Sequence, residues 1–372
     1  MSLVIKIGIF IMNLIYCFFK LFPTKNKITF ISRQNNFPST DFKMLKEEIR
    51  KREKNIEVII LCKRLEKGLL NKFKYVLHMF VQMYHIATSK VIILDSYCIC
   101  ISILKHKKSL KVIQMWHAMG AFKKFGYSIL DQKEGTKSKV AHLMKMHRNY
   151  DYVFTSSEKC KKYFAEAFNV SLDKMVVMPL PTVDLICNPK YIKANKKKVL
   201  DKYPNIKDKK VILYAPTFRK NKDMTKDIQN LINEVDFDKY NLVIKLHPLS
   251  KTIIKDKRVI FDKKFTTIEM AVISDYVITD YSAVVFEIAL LNKPIYFYAY
   301  DRETYINDRD FYIDYDRDMP GVISERPEDI FEAIENDKYD LKIIKKFAND
   351  YIAKVYGGYT ANVVNFILNL KK

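Results

Sequence analysis

The sequence predicts an α/β protein of two doubly wound domains, each built on a parallel sheet covered by helices. Three observations favour this fold class. The 372 residues are more than a single hydrophobic core usually organises. Short apolar, β-branched runs alternate with helical patterns along the chain, as in parallel sheets that are buried on both faces. Prolines and a lysine run interrupt this rhythm between residues 181 and 204.

The predicted strands form two series. The first series lies at residues 28–31, 58–61, 91–94, 112–115, 151–154 and 175–178, and the second at 211–214, 242–245, 276–279 and 294–297. Residues 340–372 show a helical pattern. We therefore predict one domain over residues 1–188 and another over 189–372, facing each other across a cleft. Ligands of such sheets bind outside the carboxyl ends of the strands.

The charge balance indicates anionic partners. Lys and Arg number 65 against 42 Asp and Glu, which gives a formal net charge of +23. Nucleic acid, phosphorylated substrates and an acidic membrane surface would all suit this charge. No nucleic-acid-binding module or aromatic stacking platform is recognisable, so we expect no nucleic-acid partner. The six cysteines lack the paired spacings of a disulfide framework or a zinc site.

Two segments are candidates for membrane contact. Residues 3–22 are nearly all apolar, but polar side chains interrupt them and the uninterrupted part is short for a bilayer span. The segment either lies in the membrane interface or packs as a helix of the first domain; a secretory signal is disfavoured because no small-residue cleavage pattern follows. Residues 63–75 mix Lys and Arg with Leu, Phe and Tyr. They predict either a membrane-surface element or a core helix with a solvated basic face.

The residues at four predicted strand ends are candidates for chemistry. The segment 114–126 follows a buried strand and contains Trp116, the only tryptophan, and His117. An imidazole has a pKa near cellular pH, so His117 could accept a proton from an attacking hydroxyl. A packed, hydrogen-bonded histidine is the alternative.

The other three strand ends carry groups suited to phosphate. Residues 215–219 read A-P-T-F-R, and the Arg219 fork suits bidentate contact with phosphate. Residues 245–248 read K-L-H-P, and residues 279–282 read T-D-Y-S. Asp280 and Ser282 are possible caps of a helix whose first amides would bind an anion; an ordinary strand-to-helix connection is the alternative. Residues 301–316 are rich in carboxylates, but we expect a loop with internal ion pairs rather than a metal site.

In this order, the segments from residue 112 to residue 321 resemble the CDP-glycerol glycerophosphotransferase family, which builds teichoic acids in Gram-positive cell walls. The resemblance implies a GT-B architecture and a transferase that releases CMP from CDP-glycerol or another CDP-polyol. The implied acceptor is a polyprenyl-diphosphate-linked disaccharide, so we expect a peripheral enzyme on the anionic cytoplasmic face of the membrane. Neither a cofactor nor a metal is expected.

The resemblance also implies roles for individual residues. His117 would be the general base and His247 the second catalytic histidine, with Glu287 at the nucleotide ribose. Trp116, Gly120 and Lys123 would lie on the acceptor side. The donor diphosphate would be bound by Thr217, Arg219, His247, Asp280, Ser282 and Arg309.

Two departures from the family pattern distinguish this chain. Residues 118–123 read A-M-G-A-F-K where the family usually has G-T-P-L-K, and Asp310 stands where glycine is usual. The long extra region of the large polymerases is also missing, which favours a primase or short-extension role. A GT-B glycosyltransferase that uses a nucleotide sugar in cell-wall or capsule polysaccharide synthesis remains the alternative.

Overall fold

The structure is a computed structural model that describes residues 2–219, 223–247, 250, 252–308, 310–352 and 357–370. Two six-stranded parallel sheets organise the described chain. The first sheet consists of β1 (Lys27–Ser32), β2 (Glu57–Cys62), β3 (Val91–Leu94), β4 (Lys111–Gln114), β5 (Tyr152–Thr155) and β6 (Met175–Val177). The second consists of β7 (Lys210–Tyr214), β8 (Tyr240–Ile244), β9 (Ile260–Phe261), β10 (Tyr276–Thr279), β11 (Ile295–Tyr298) and β12 (Ile323–Ser324).

Helices connect the strands. Up to β6 they are α1 (Ser2–Phe19), α2 (Thr40–Arg52), α3 (Leu69–Thr88), α4 (Ile99–Ile103), α5 (Ser138–Leu143) and α6 (Lys161–Phe168). Next come α7 (Thr182–Ile186), α8 (Pro189–Lys202), α9 (Thr225–Asn233), α10 (Thr267–Ile273) and α11 (Val284–Leu290). The last are α12 (Arg302–Asp308), α13 (Tyr315–Asp318), α14 (Pro327–Glu335), α15 (Leu341–Tyr351) and α16 (Tyr359–Asn369).

Both sheets have a doubly wound strand order, which confirms the predicted fold class. The orders are β2-β1-β3-β4-β5-β6 and β12-β11-β10-β7-β8-β9. Strand order reverses between β1 and β3 in the first sheet and between β7 and β10 in the second. Each reversal opens a crevice outside the carboxyl ends of the strands, where ligands of such sheets bind. All ten predicted strands are present, whereas the two-residue strands β9 and β12 were not predicted.

The chain divides into two compact units whose limits differ from the predicted domains. The first unit comprises Met1–Ala118, Lys124–Asp184 and Gly358–Lys372, and the second comprises Met119–Lys123 and Leu185–Gly357. The predicted boundary at residue 188 therefore lies after residue 184, residues 119–123 belong to the second unit instead of the first, and α16 belongs to the first unit instead of the second. Local hydrogen bonding explains the position of α16: the Asp184 carboxylate accepts hydrogen bonds from the backbone N–H groups of Tyr359 (3.0 Å) and Thr360 (2.8 Å).

Helices α1 and α3 of the first unit pack together and leave many apolar side chains exposed. In α1 only Tyr16 is buried, so the predicted alternative of a core-packed helix is wrong for this segment. The helix is long and apolar enough to cross a membrane by length and composition. The exposed large apolar side chains of the pair are Leu3, Val4, Ile7, Phe10, Ile11, Leu14 and Phe18 in α1, and Leu69, Leu70, Phe73, Val76, Leu77 and Val81 in α3.

Candidate active site

In the first unit, His117 lies just beyond the carboxyl end of β4. Its Nδ1 is 2.7 Å from the backbone carbonyl oxygen of Asp95, the residue that follows β3. A carbonyl oxygen only accepts, so Nδ1 carries the proton and the neutral ring presents its Nε2 lone pair. The Gln34 amide nitrogen, from the loop after β1, lies against the ring, 3.1 Å from Nδ1 and 3.3 Å from Nε2. The Asp95 carbonyl thus sets the tautomer, and residues from three neighbouring strand ends hold the imidazole in place.

The surroundings of His117 favour its neutral form. The ring is reachable by solvent in the described chain, yet the protein atoms around it desolvate it and lower its pKa from the ordinary value of 6.5. The hydrogen bond to Asp95 opposes this shift without reversing it. Because a proton acceptor must be neutral before it acts, the lowered pKa suits a general base.

The carboxyl group of Asp95 is buried next to this histidine. Burial raises the pKa of Asp95 to about 6, while hydrogen bonds from Ser32 and Ser96 act in the opposite direction. The Ser96 hydroxyl donates to the carboxylate over 2.9 Å. Sequence reasoning did not single out Asp95, although its place directly after a buried strand was a usable signal.

Trp116 adopts a left-handed backbone conformation, with φ of 58°. This conformation is uncommon for a bulky residue. It is held by stacking on Phe125, with ring centroids 4.9 Å apart and an interplanar angle of 10°, and by a hydrogen bond from its own N–H to the Gln114 side chain. Trp116 therefore shapes the turn that presents His117, while its predicted acceptor contact stays a prediction.

Gly120 and Lys123, which were predicted on the acceptor side, belong to the second unit. A Cβ at position 120 would lie 2.7 to 2.9 Å from ring atoms of Phe286, so the close approach requires glycine. The Lys123 ammonium donates to the Tyr305 hydroxyl over 2.6 Å. In the described structure both residues are thus engaged with the second unit.

A cavity of about 640 Å³ lies in the second unit at the carboxyl ends of β7, β8 and β10. This position is the strand-order reversal of the sheet, as expected for a ligand site. Three of the sequence motifs meet there, because their strands are neighbours. The lining residues are Ala215, Pro216, Thr217, Phe218, Lys245, Leu246, His247, Lys263, Phe265, Thr266, Thr267, Ser282 and Val284.

The predicted donor-site residues Thr217, His247 and Ser282 line this cavity. The His247 ring lies beside Phe218, with centroids 5.2 Å apart. Lys245 points away from solvent and donates to the Asp262 carboxylate over 2.9 Å, so it fixes the loop after β9. Glu287 is half-buried on the first turn of α11, and its contact with the nucleotide ribose stays a prediction. Arg309 lies outside the described residues.

Arg219 does not have the predicted environment of a diphosphate ligand. Its side chain is buried, and its Nε and one terminal nitrogen donate to the Asp301 carboxylate, each over 2.9 Å. That terminal nitrogen also donates to Asp280 over 2.9 Å, and the other donates to the carbonyl oxygen of Thr217 over 2.8 Å. Burial alone would lower the pKa of Arg219, but Asp280 and Asp301 raise it above its ordinary value. The guanidinium therefore organises the β7 and β10 strand ends.

Asp280 is likewise a structural residue and not the predicted helix cap. It is fully buried, and its second oxygen accepts hydrogen bonds from the backbone N–H (2.8 Å) and hydroxyl (2.6 Å) of Thr217. The N-cap of α11 is Ala283, without a side-chain cap bond, and the Ser282 hydroxyl oxygen only accepts a 3.4 Å bond from Val284. The predicted cap at Asp280 is therefore wrong, and anion binding at this helix start stays a prediction. The carboxylate turns inward because Arg219 and Thr217 offer it charge-assisted bonds.

Comparison with known proteins identifies the family. The family model described as CDP-Glycerol:Poly(glycerophosphate) glycerophosphotransferase matches residues 14–369. The chain belongs to this family.

Relatives include a teichoic acid ribitol-phosphate primase of Bacillus spizizenii, 33% identical over 93% of this chain and 92% of the relative. A teichoic acid glycerol-phosphate primase of Bacillus subtilis is 33% identical over 79% and 77%. A solved structure of the wall teichoic acid polymerase TagF, a variant soaked with CDPG, superposes with a TM-score of 0.74 at 20% identity, covering 100% of this chain and 97% of that one. The chain is thus a phosphotransferase of the teichoic acid polyol-phosphate group, with a GT-B fold.

Four lining residues of the glycerophosphotransferase cavity were missed by sequence reasoning. They are Lys263, Phe265, Thr266 and Thr267. Thr266 caps α10 in a capping box with Glu269, and the T-x-x-E pattern at residues 266–269 was a readable signal for it. No metal-binding group of three or more His, Cys, Asp or Glu side chains occurs within the described part of the chain.

Proposed function

We propose that this glycerophosphotransferase moves a polyol-phosphate unit from CDP-glycerol or CDP-ribitol onto a hydroxyl of a polyprenyl-diphosphate-linked disaccharide. The product would enter wall teichoic acid. The observation that carries the proposal is the second-unit cavity, where three motif segments surround one space at the strand-order reversal. Family membership supplies the reaction class. Its relatives act with either ribitol phosphate or glycerol phosphate, so both donors are candidates.

The proposed reaction is an in-line phosphoryl transfer. The acceptor hydroxyl oxygen forms a bond to the β-phosphorus of the donor, and the bond from that phosphorus to the oxygen of the leaving CMP breaks. Nε2 of His117 takes the hydroxyl proton as the new bond forms and later returns it to solvent. The Asp95 carbonyl supports this step because it holds the Nδ1 proton in place. A positioned base of this kind typically contributes about 10²–10⁴-fold to the rate.

The cavity offers groups suited to the negatively charged donor. Lys263 is exposed at its rim, and His247 and the Thr217 hydroxyl line it. Fixed donors and cations stabilise charge that spreads over phosphoryl oxygens and the leaving group. The Arg219 network supports these groups indirectly, since it holds Thr217 and Asp280 in register.

The decisive test is a product assay with the purified protein. It is incubated with CDP-glycerol, CDP-ribitol or a UDP-sugar, together with a lipid-disaccharide acceptor, and nucleotide release and product mass are followed. We expect CMP and a phosphodiester from at least one CDP-polyol. His117→Ala should lose this activity, whereas His142→Ala, at an exposed histidine of the same unit, should retain it. Release of UDP with formation of a glycoside would replace the proposal with the glycosyltransferase alternative.

We also propose that α1 and α3 attach the protein to the anionic cytoplasmic face of the membrane. The exposed apolar side chains of both helices support this proposal, because such a surface is unfavourable in water. Lys72 and Lys74 are exposed on α3 beside these residues, and each cation near an anionic surface contributes about 1 kcal/mol. A lipid-linked acceptor could then bind the enzyme at the membrane surface while the lipid tail of the acceptor remains in the bilayer.

Liposome sedimentation tests this attachment. Lys72→Gln combined with Lys74→Gln should weaken binding to anionic vesicles more than it affects turnover of a soluble acceptor analogue. Equal losses in both assays would contradict the proposal. Extraction at alkaline pH separates the peripheral mode from a spanning α1, because only a peripheral protein is released.

A further inference from the structure

A second, basic pocket lies in the first unit at the opposite edge of the sheet from His117. It has a volume of about 320 Å³, roughly ten times the share of liquid volume of one water molecule, about 30 Å³. It is formed where the chain enters β4, β5 and β6. The lining residues are His106, Lys107, Lys108, Leu110, Val112, Asn149, Tyr150, Asp151 and Lys174.

Positive charge dominates this pocket. Lys107, Lys108 and Lys174 contribute three ammonium groups against the single carboxylate of Asp151. One Asp151 oxygen already accepts the backbone N–H of Val112 over 2.8 Å. Among the residues that the structure describes, neither Lys108 nor Lys174 pairs with a carboxylate, and Lys174 donates to the backbone carbonyl oxygen of Tyr150. The three lysines therefore leave the pocket with a surplus of positive charge over its one carboxylate.

The pKa of Lys107, one of these lysines, is lowered from its ordinary value. Burial is the main cause, and the nearby cation of Lys20, which follows α1, is the second. A bound anion beside Lys107 would oppose this shift, because a nearby opposite charge favours the charged form of the ammonium group.

The loop that forms the pocket is fastened to the C-terminal half of α1. The Tyr16 hydroxyl lies 3.0 Å from Nδ1 of His106, and the Asn13 side chain accepts from the backbone N–H of Lys105 over 3.0 Å. Lys107 donates to the backbone carbonyl oxygen of Phe22 over 2.7 Å. The pocket thus lies at the end of the helix whose apolar face is exposed.

We propose that this pocket binds the phosphate of an anionic phospholipid headgroup. The acyl chains of such a lipid would lie along the exposed face of α1, and its phosphate would reach the lysines at the helix end. Phosphate suits the pocket because lysine binds it as a point charge. The inference rests on the proposed membrane attachment of α1 and is independent of the transfer chemistry.

The pocket is distinct from the catalytic edge of the same sheet. It lies where the chain enters β4, whereas His117 follows the end of that strand, so the two sites lie at opposite ends of β4. It also differs from the Lys72 and Lys74 group near the start of α3. Since α1 and α3 both lead into parallel strands of one sheet, this group and the pocket lie toward opposite ends of the helix pair.

The test compares two variants with the same change in net charge. Lys108→Gln with Lys174→Gln removes two pocket cations, and Lys43→Gln with Lys51→Gln removes two exposed cations of α2. Binding of the full chain is measured on phosphatidylcholine vesicles with and without phosphatidylglycerol. At about 1 kcal/mol per cation, the pocket variant should lose roughly thirtyfold in affinity for the anionic vesicles. It should bind neutral vesicles as the wild type does, and the α2 variant should change less than about threefold on either.

Other outcomes separate the possible failures. An equal loss of vesicle affinity in both variants would show that general surface charge causes the binding, and it would overturn the pocket proposal. No loss of affinity in either variant would also overturn it. Failure of the wild type to bind any vesicle would overturn the membrane attachment itself, and CMP release from a soluble acceptor analogue would still report on the transferase. Inorganic phosphate is a further probe. It could raise the melting temperature of the wild type but not of the pocket variant, while both proteins bind vesicles equally. The site would then bind soluble phosphate, and the lipid proposal would be refuted.

If the double variant does not fold, Lys108→Gln alone repeats the comparison at an exposed side chain. Its expected loss of affinity for anionic vesicles is roughly fivefold.

Discussion

Replacing Arg219 with methionine tests whether this residue is structural or binds the donor. The substitution keeps much of the side-chain volume but removes the charge and four hydrogen bonds to Asp280, Asp301 and Thr217. The two carboxylates are 0% and 8% exposed in their side chains, so both would remain buried without their cation.

The expected effect is large because a buried charge would be left uncompensated. Breaking a buried ion pair by removing one partner costs about 3–5 kcal/mol. In a unit of this size, each kcal/mol lowers the melting temperature by about 2–4 °C. We therefore expect a decrease of roughly 6–20 °C in the transition of the second unit.

Differential scanning calorimetry measures this transition, and Arg317→Met is the matched control. Arg317 also pairs with neighbouring aspartates, but its side chain is 74% exposed, so its loss should leave the transition almost unchanged. Adding Asp280→Asn and Asp301→Asn to Arg219→Met should recover part of the stability, because it removes the unpaired charges. A variant that melts like the wild type but has a much weaker affinity for the CDP-polyol would refute the structural role and restore the predicted diphosphate contact.

Four further predictions concern the catalytic edge and the second unit. His117→Gln should lower kcat by about 10²–10⁴-fold while donor affinity, measured by calorimetric titration, stays within a factor of about two. Because desolvation lowers the pKa of His117 and only the neutral ring accepts a proton, the acidic limb of kcat/KM should have its midpoint below 6.5; a midpoint above that value would argue against His117 as the base. Gly120→Ala should destabilise the second unit by about 1–3 kcal/mol through overpacking, and Phe286→Leu in the same chain should relieve part of this, as urea unfolding would show. EDTA should leave turnover largely intact, and strict dependence on added Mg²⁺ would contradict a metal-free mechanism.

The strands were predictable because their signal is local. A parallel strand buried on both faces is a continuous apolar run, so residues such as 91–94 and 211–214 identify themselves without knowledge of their neighbours. The two-residue strands β9 and β12 carry too short a run for such a signal and depend on a partner strand for their hydrogen bonds. Three motif segments line one cavity because each follows the carboxyl end of a strand and the strands of the sheet are parallel.

The partners of individual charges were not predictable. Arg219 and Asp280 both occupy strand ends, where sequence reasoning assigned them to a ligand and a helix cap. They pair with each other because β7 and β10 are adjacent in the sheet, although 61 residues separate them in the chain. A buried ion pair of this kind is decided by strand order, which no local pattern specifies.

By itself, the sequence determined the fold class, ten of the strands and the order of motifs that leads to the family. Hydrophobic periodicity and residue chemistry are properties of short segments, and they persist whatever those segments later contact. Only the tertiary structure decided that Arg219 is a structural cation, that α16 joins the first unit, and that lysines from separate loops share a pocket beside α1. Each of these depends on residues that are distant in the chain and close in space, where burial and pairing set the free energy of a charged group.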